Sequence, residues 1–271
     1  MAFPAAETIR KRRSVRTFTG APLTEEDRAA LEQFIQTQSN PFGVPVEFRL
    51  LDAKEHALSS PVIVGAELYL AAKVARCENY EIGLGYSFEQ ACLYAASRGI
   101  GTVMLAASLS RAAFEKAMDV RENEVLPVAS PVGYPAEKKS IRETLMRKGL
   151  KADARLLFEN LFFDRRYGRP LARENAGAFS DALEMVRWAP SAANRQPWRA
   201  VVDGNTVHFY EEKTMKDSAL GDVQKVDIGI ALSHFDLTMR EENRACRFFA
   251  DDPGGDVPGN TRYIISAACL N

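Results

Sequence analysis

Three passages of this chain return later in it, in the same order, and this constrains the fold more than any single motif does. "RRSVRTF" from Arg12 has a blurred echo in "RRYGRPL" from Arg165. "YEIGLGYSFEQACLYAASRG" from Tyr80 resembles "VDIGIALSHFDLTMREENRA" from Val226, which sets Gly83 against Gly229. "LPVASPVGYP" from Leu126 is matched weakly by "RYIISAACLN" from Arg262. The spacing between partners shrinks along the chain, as it would if a second copy had lost residues. Two unrelated halves are the alternative. The duplicated reading divides the chain into residues 1–155 and a shorter, degenerate copy over 156–271.

With 271 residues the chain can bury a substantial core as one large domain or two small ones. A formal net charge of −1 leaves no global field to recruit nucleic acid or anionic lipid, so any anion site must be local. The "MAFPAAETIRKRRSVR" start has no apolar stretch of signal-peptide length, and no run of about 18 apolar residues is free of charge. No membrane span is expected, and the cytoplasm is the expected compartment. Cys77, Cys92, Cys246 and Cys269 are widely scattered, and the expectation is four buried free thiols. His56, His208 and His234 have no metal-ligand spacing, so no metal site is expected. "GLG" at 83–85 and "GIG" at 99–101 lack the rest of a dinucleotide fingerprint.

Coarse periodicity alternates helices and strands. "PLTEEDRAALEQFIQTQ" reads as a helix capped by Thr24, "VEFRLLD" as a strand and "PVIVGAEL" as a second strand. A buried helix follows over "YEIGLGYSFEQACLYAAS", ending near Gly99, and "TVMLA" reads as the strand after it. "SRAAFEKAMDV" is an amphipathic helix, and "EVLPVASPVGYP" a strand entering a turn.

The least ordinary stretch is "WAPSAANRQPW" at 188–198, where the only two tryptophans frame small residues broken by Asn194, Arg195 and Gln196. It is too poor in bulky apolar residues for a core segment and too aromatic for a linker. Upstream, "RKRRSVR" packs five cations into seven residues beside Ser14. Planar guanidinium forks and a hydroxyl suit phosphate oxygens. Taken alone, this run is equally a solvated basic helix face.

Together these motifs resemble the nitroreductase family of FMN-dependent oxidoreductases, in the branch with two family units fused in one chain. Ordinary members carry an "R-R-S-x-R" element, a helix, then "A-P-S-x-x-N-x-Q-P-W". Here "RRSVR" is followed by a helix and then by "QTQSNPFGVPVEF", and the second element stands only in the later copy. The resemblance implies an α+β fold, a mixed sheet flanked by helices, with two pseudo-symmetric halves packed as an internal dimer and therefore a monomer. It implies one intact flavin site and one degenerate counterpart. FMN is the implied cofactor, with NADH or NADPH as transient reductant and a small oxidised aromatic as substrate.

By the same resemblance Arg12, Arg13, Ser14 and Arg16 face the phosphate and ribityl chain. Pro190, Ser191, Ala192, Asn194 and Gln196 lie along the ring. Val132, Gly133 and Tyr134 bring backbone N–H groups to it, and Lys139 and Arg142 add cations near the phosphate. No side chain is required as a catalytic acid or base, because the cofactor carries the chemistry. A flavoenzyme of another reaction type, or a flavin-free interaction protein on a degenerate fold, are the alternatives.

Overall fold

The computed structural model describes residues 3–269; Leu270 and Asn271, the end of the third echo, lie outside the described residues. The chain runs α1 (Ala5–Lys11), α2 (Glu25–Gln36), β1 (Val46–Asp52), β2 (Leu68–Ala75), α3 (Tyr80–Ser97), β3 (Gly101–Thr102), α4 (Arg111–Ala117), β4 (Glu124–Val125) and β5 (Ala129–Gly133). It continues through α5 (Ile141–Gly149), α6 (Phe158–Leu161), β6 (Phe162–Asp164), α7 (Ser180–Trp188), β7 (Trp198–Asp203), β8 (Thr206–Glu212), α8 (Val223–Glu241), β9 (Cys246–Phe249) and β10 (Thr261–Cys269). The architecture is α+β, with two five-stranded sheets rather than one. The first has the order β1-β2-β5-β3 with β4 against β2, and its strand pairs are antiparallel. The second has the order β6-β7-β8-β10-β9, and only β6 and β7 run parallel.

Two long helices lie between the sheets. On α3, Ile82, Leu84, Phe88, Ala91 and Leu93 are buried; on α8, Ile228, Ile230, Leu232, Phe235 and Met239 are buried. Helices this apolar on every side are stable only when enclosed. They enclose each other at a crossing that leaves no room for side chains. A Cβ on Gly85 would stand 2.1 Å from the Val226 carbonyl oxygen, and one on Gly229 would stand 2.1 Å from that of Ile82. The contact is reciprocal, as across a two-fold axis. It sets Gly85, not Gly83, opposite Gly229. The main core is continuous across the crossing, joining Leu70 and Phe88 to Phe209 and Phe235.

Several elements depart from the sequence expectation. "PVIVGAEL" is not a strand. Val64 makes one bridge to Thr17, Gly65 turns with φ 76°, and the strand begins at Leu68. The cause is local: a Cβ at Gly65 would lie 2.5 Å from the Phe18 carbonyl oxygen, so the chain bends around that link. "TVMLA" forms a strand only at its threonine, after which Leu105 makes one bridge to Ala129. The expectation of four buried free thiols is also overturned. Cys246 and Cys269 are in-register partners on β9 and β10 and form a disulfide, and Cys77 is exposed. No helix among the described residues is long and apolar enough to cross a membrane. They also contain no cluster of His, Cys, Asp or Glu able to hold a metal ion.

Candidate functional site

A cavity of about 780 Å³ opens beside the crossing of α3 and α8, lined by Glu89 and Cys92 of the first and by Val226, Asp227 and Ile230 of the second. Arg12, Ser14 and Arg16 line it from one side, and Pro190, Ser191 and Ala192 from the other. The two motifs that stand far apart in sequence therefore share one wall-to-wall space.

The arginine segment is fixed by the edge of the first sheet. Ser14 bridges Thr102, Thr17 bridges Val64, and Phe18 bridges Pro135. This extended run alternates its side chains, so Arg12, Ser14 and Arg16 share a face. Arg12 is buried, its Nε 3.6 Å from the Glu89 carboxylate. Glu89 is held in turn by His234 at 2.9 Å, whose other ring nitrogen meets the Met185 carbonyl at 2.9 Å. The Nε atoms of Arg12 and Arg16 are buried without a hydrogen-bond partner. Burial pulls the Arg16 guanidinium below its ordinary value, against the nearby Glu143 carboxylate and with help from Arg147. Two buried guanidinium nitrogens without partners are costly unless an anion arrives.

The opposite wall is a strained loop. After α7 ends at Trp188, Ala193, Asn194 and Gln196 adopt φ of 49°, 55° and 52°. Left-handed backbone costs non-glycine residues about 1–2 kcal/mol each, and such outliers persist only when surrounding bonds over-determine them. Here the bonds are identifiable. The Ala192 N–H donates to the Asp227 carboxyl at 3.0 and 3.1 Å, and the Gln196 N–H donates to Ser191 Oγ at 2.9 Å. Asn194 Nδ2 donates to the carbonyls of Lys151 and Ala154, and the Leu156 N–H donates to Gln196 Oε1. Asn194 and Gln196 therefore pin the 151–156 segment instead of lining the cavity. Trp198 is wholly buried beneath the loop.

Other expected site residues also lie elsewhere. Val132 is in the core, paired with Leu68 and Thr102. Gly133 pairs with Gly101 and faces the Phe18 ring, and the Tyr134 hydroxyl donates to Asp27 at 2.5 Å. This turn packs against α2 through Tyr134, and none of the three residues lines the cavity. Lys139 is exposed, and Arg142 donates to the Pro61 carbonyl. Arg13 is exposed, with its guanidinium 5.7 Å from the Trp188 ring. Arg155 approaches the same ring at 5.6 Å, and burial together with Arg12 pulls its value down to about 10.

The wall that sequence reasoning missed is the run from Thr102 to Ser108, which lines the cavity where a strand was expected to continue. Its small residues, Ala106, Ala107 and Ser108, were the available signal. Met146 of α5 and Leu150 just after it add apolar surface, and Lys216, Leu220 and Asp222 close the side nearest α8. The arrangement suits a ligand with an anionic end and a flat, largely apolar body.

The chain matches a family model described as "Putative TM nitroreductase" over residues 5–239. Among solved structures, a protein of Thermotoga maritima MSB8 described as a "putative nitroreductase" aligns over 99% of this chain and 94% of its own, at 21% identity and a TM-score of 0.66. An "FMN-dependent Nitroreductase" of Clostridium difficile R20291 covers 49% of this chain with 88% of its own, at 15% identity and a TM-score of 0.42. A "Putative NADH dehydrogenase/NAD(P)H nitroreductase" of Bacteroides thetaiotaomicron VPI-5482 covers 50% with 89% of its own, at 22% identity and a TM-score of 0.42. No curated protein matches. With the family model spanning most of its length, the chain belongs to the nitroreductase family.

Proposed function

We propose that this chain is an FMN-dependent oxidoreductase that takes hydride from NADH or NADPH and reduces small oxidised aromatics such as nitro compounds or quinones. The observation that carries this reading is the buried Arg12 and half-buried Arg16, whose buried Nε atoms lack partners at the edge of a cavity closed opposite by Pro190, Ser191 and Ala192. FMN has the matching parts: a phosphate for the arginines and Ser14, and a flat ring for the small-residue wall.

Bound there, FMN would supply two-electron transfer to and from organic partners. The chain's own residues bind, orient and desolvate. Arg12 is aimed by Glu89 and His234, so its approach to an anion costs little reorganisation. The strained 190–196 loop is held by the protein's own hydrogen bonds involving Asp227, Ser191 and Asn194, which lowers the ordering cost of binding.

The reciprocal crossing of α3 and α8 supports internal duplication and a monomer that contains its own dimer-like interface. It also supports one working site. In the counterpart position the loop around Val44 packs onto Gly83, and Phe42 contacts both Tyr86 and Phe248, filling space that is open on the other side.

The test is the visible spectrum of purified protein with added FMN, followed by anaerobic addition of NADH or NADPH. One FMN per chain, bleached by a nicotinamide, supports the proposal. Bound FMN that neither nicotinamide reduces removes the reductase reading, and no binding at excess FMN removes the flavin reading.

A further inference from the structure

Asp227 lines the cavity and is nearly inaccessible, yet it has no cationic partner among the described residues. Its two oxygens meet only the Ala192 N–H, at 3.0 and 3.1 Å. A single N–H needs one acceptor, so half of the carboxyl is unused by the protein.

The helix crossing does not require this residue. Gly85 stands opposite Gly229, which places Gly83 as the counterpart of Asp227. At Gly83 a Cβ would lie 2.6 Å from the Val44 side chain, so that position is packed shut. A carboxyl occurs only in the half where the cavity is open.

We propose that Asp227 is present as the carboxylic acid and donates a hydrogen bond to a carbonyl oxygen or ring nitrogen of the heterocycle bound in the cavity. This rests on the flavin reading above. A buried O–H without an acceptor is costly, and the cavity that Asp227 lines is where an acceptor can stand. The electrostatic surroundings agree. Burial pushes the Asp227 carboxyl well above the usual range, the nearby Asp222 and Glu211 push it further, and the Ala192 N–H opposes them. Other charges around it are largely spoken for. Lys213 and Arg262 pair with Asp222, Arg262 also with Glu211, and Arg12 with Glu89. Glu81 accepts from the Asp222 N–H, and Lys216 lines the cavity on the loop before α8.

The experiment measures FMN affinity by flavin fluorescence across pH for wild type, Asp227→Asn and Asp227→Leu, with melting curves to verify folding. Asparagine keeps an acceptor for Ala192 and a donor for the ligand. Its affinity should stay within about threefold of wild type, while leucine should lose about tenfold, the value of one hydrogen bond. Relative to Asp227→Asn, wild-type affinity should fall as pH rises and the donor is lost. A purely structural role as acceptor for Ala192 gives the opposite slope, because the ionised carboxylate holds that N–H more strongly. Infrared difference spectra at neutral pH should show the carbonyl stretch of a protonated acid in wild type that disappears in Asp227→Asn. Absence of that band, or a wild-type affinity that rises or runs parallel to Asp227→Asn with pH, overturns the proposal alone. Folded wild type that takes no FMN overturns the flavin reading and, with it, the assigned occupant.

Discussion

Replacing Gly229 by alanine tests the crossing of α3 and α8, because two elementary effects there predict opposite signs. In an unconstrained helix interior the change stabilises by about 1 kcal/mol, since alanine has the better helix propensity. Here the new Cβ would sit 2.1 Å from the Ile82 carbonyl oxygen and 2.8 Å from the Tyr86 nitrogen, both backbone atoms that no rotamer change can move. A carbon and a carbonyl oxygen tolerate an approach of roughly 3.3 Å, so the helices must part by about 1.2 Å. A gap near 1 Å forfeits up to half of each dispersion contact, and a buried aliphatic side chain makes about 50 contacts of ~0.1 kcal/mol. Partial loss at two flanking side chains, Ile82 and Ile230, amounts to about 4 kcal/mol before relaxation. Net of propensity, Gly229→Ala should destabilise by about 3 kcal/mol. Gly149→Ala is the control, because nothing lies within 4 Å of a Cβ there. Urea denaturation followed by circular dichroism measures both variants. A Gly229→Ala midpoint equal to or above that of wild type would refute the close-crossing argument.

Arg16→Gln removes a half-buried, charge-assisted donor and should weaken FMN binding by about 10- to 100-fold, from the 1.5–3 kcal/mol such bonds contribute, as read by fluorescence quenching. Tyr134→Phe should leave FMN affinity unchanged, because its hydroxyl serves Asp27 and Thr24. It should instead cost about 1 kcal/mol of stability near neutral pH. The hydrogen bond from Tyr134 is the first cause of the lowered Asp27 pKa, with Arg98 adding to it. A depressed carboxylate contributes stability that is fully present above its unfolded value, here 3.8, and is lost as pH falls through the lower folded value. Wild-type and Tyr134→Phe unfolding curves should therefore converge in that acid window, and a difference that persists below it counts against the assignment. Thiol titration in denaturant should find two reactive thiols before reduction and four after, given the Cys246–Cys269 disulfide; four before reduction would exclude the disulfide.

The helices were legible because periodicity and caps act locally. The Thr24 hydroxyl accepts the Asp27 N–H as its position suggests, and α3 ends just before Gly99, whose φ is 76°. The two motifs meeting at the cavity were legible only as a pair, through their resemblance to the family's elements, since the basic run by itself reads as a solvated helix face. What the motifs could not convey is direction. Asn194 and Gln196 look like ligand contacts by chemistry, but left-handed backbone turns their amides onto the 151–156 segment. Val132 and Gly133 lie in a strand paired with Leu68 and Gly101, and neither lines the cavity. The 102–108 wall was hidden because seven residues of mostly apolar character look alike as strand or as lining. The disulfide was hidden because it depends on the register of β9 against β10, which only the folded sheet fixes.

The difference between Gly83 and Asp227 has a consequence for how such a protein can change. When two identical chains meet across a two-fold axis, every substitution is made twice, and neither site can be altered without the other. In this chain the two sides of the α3–α8 crossing are spelled separately. Val44 can close one side onto glycine while Asp227 and Ser191 hold the other open. The two sides also stay together at any dilution, because their local concentration is set by the connecting chain and not by the amount of protein present. On the duplicated, one-site reading proposed above, one side is released to serve only as a wall and the other can be refined for its ligand without compromise.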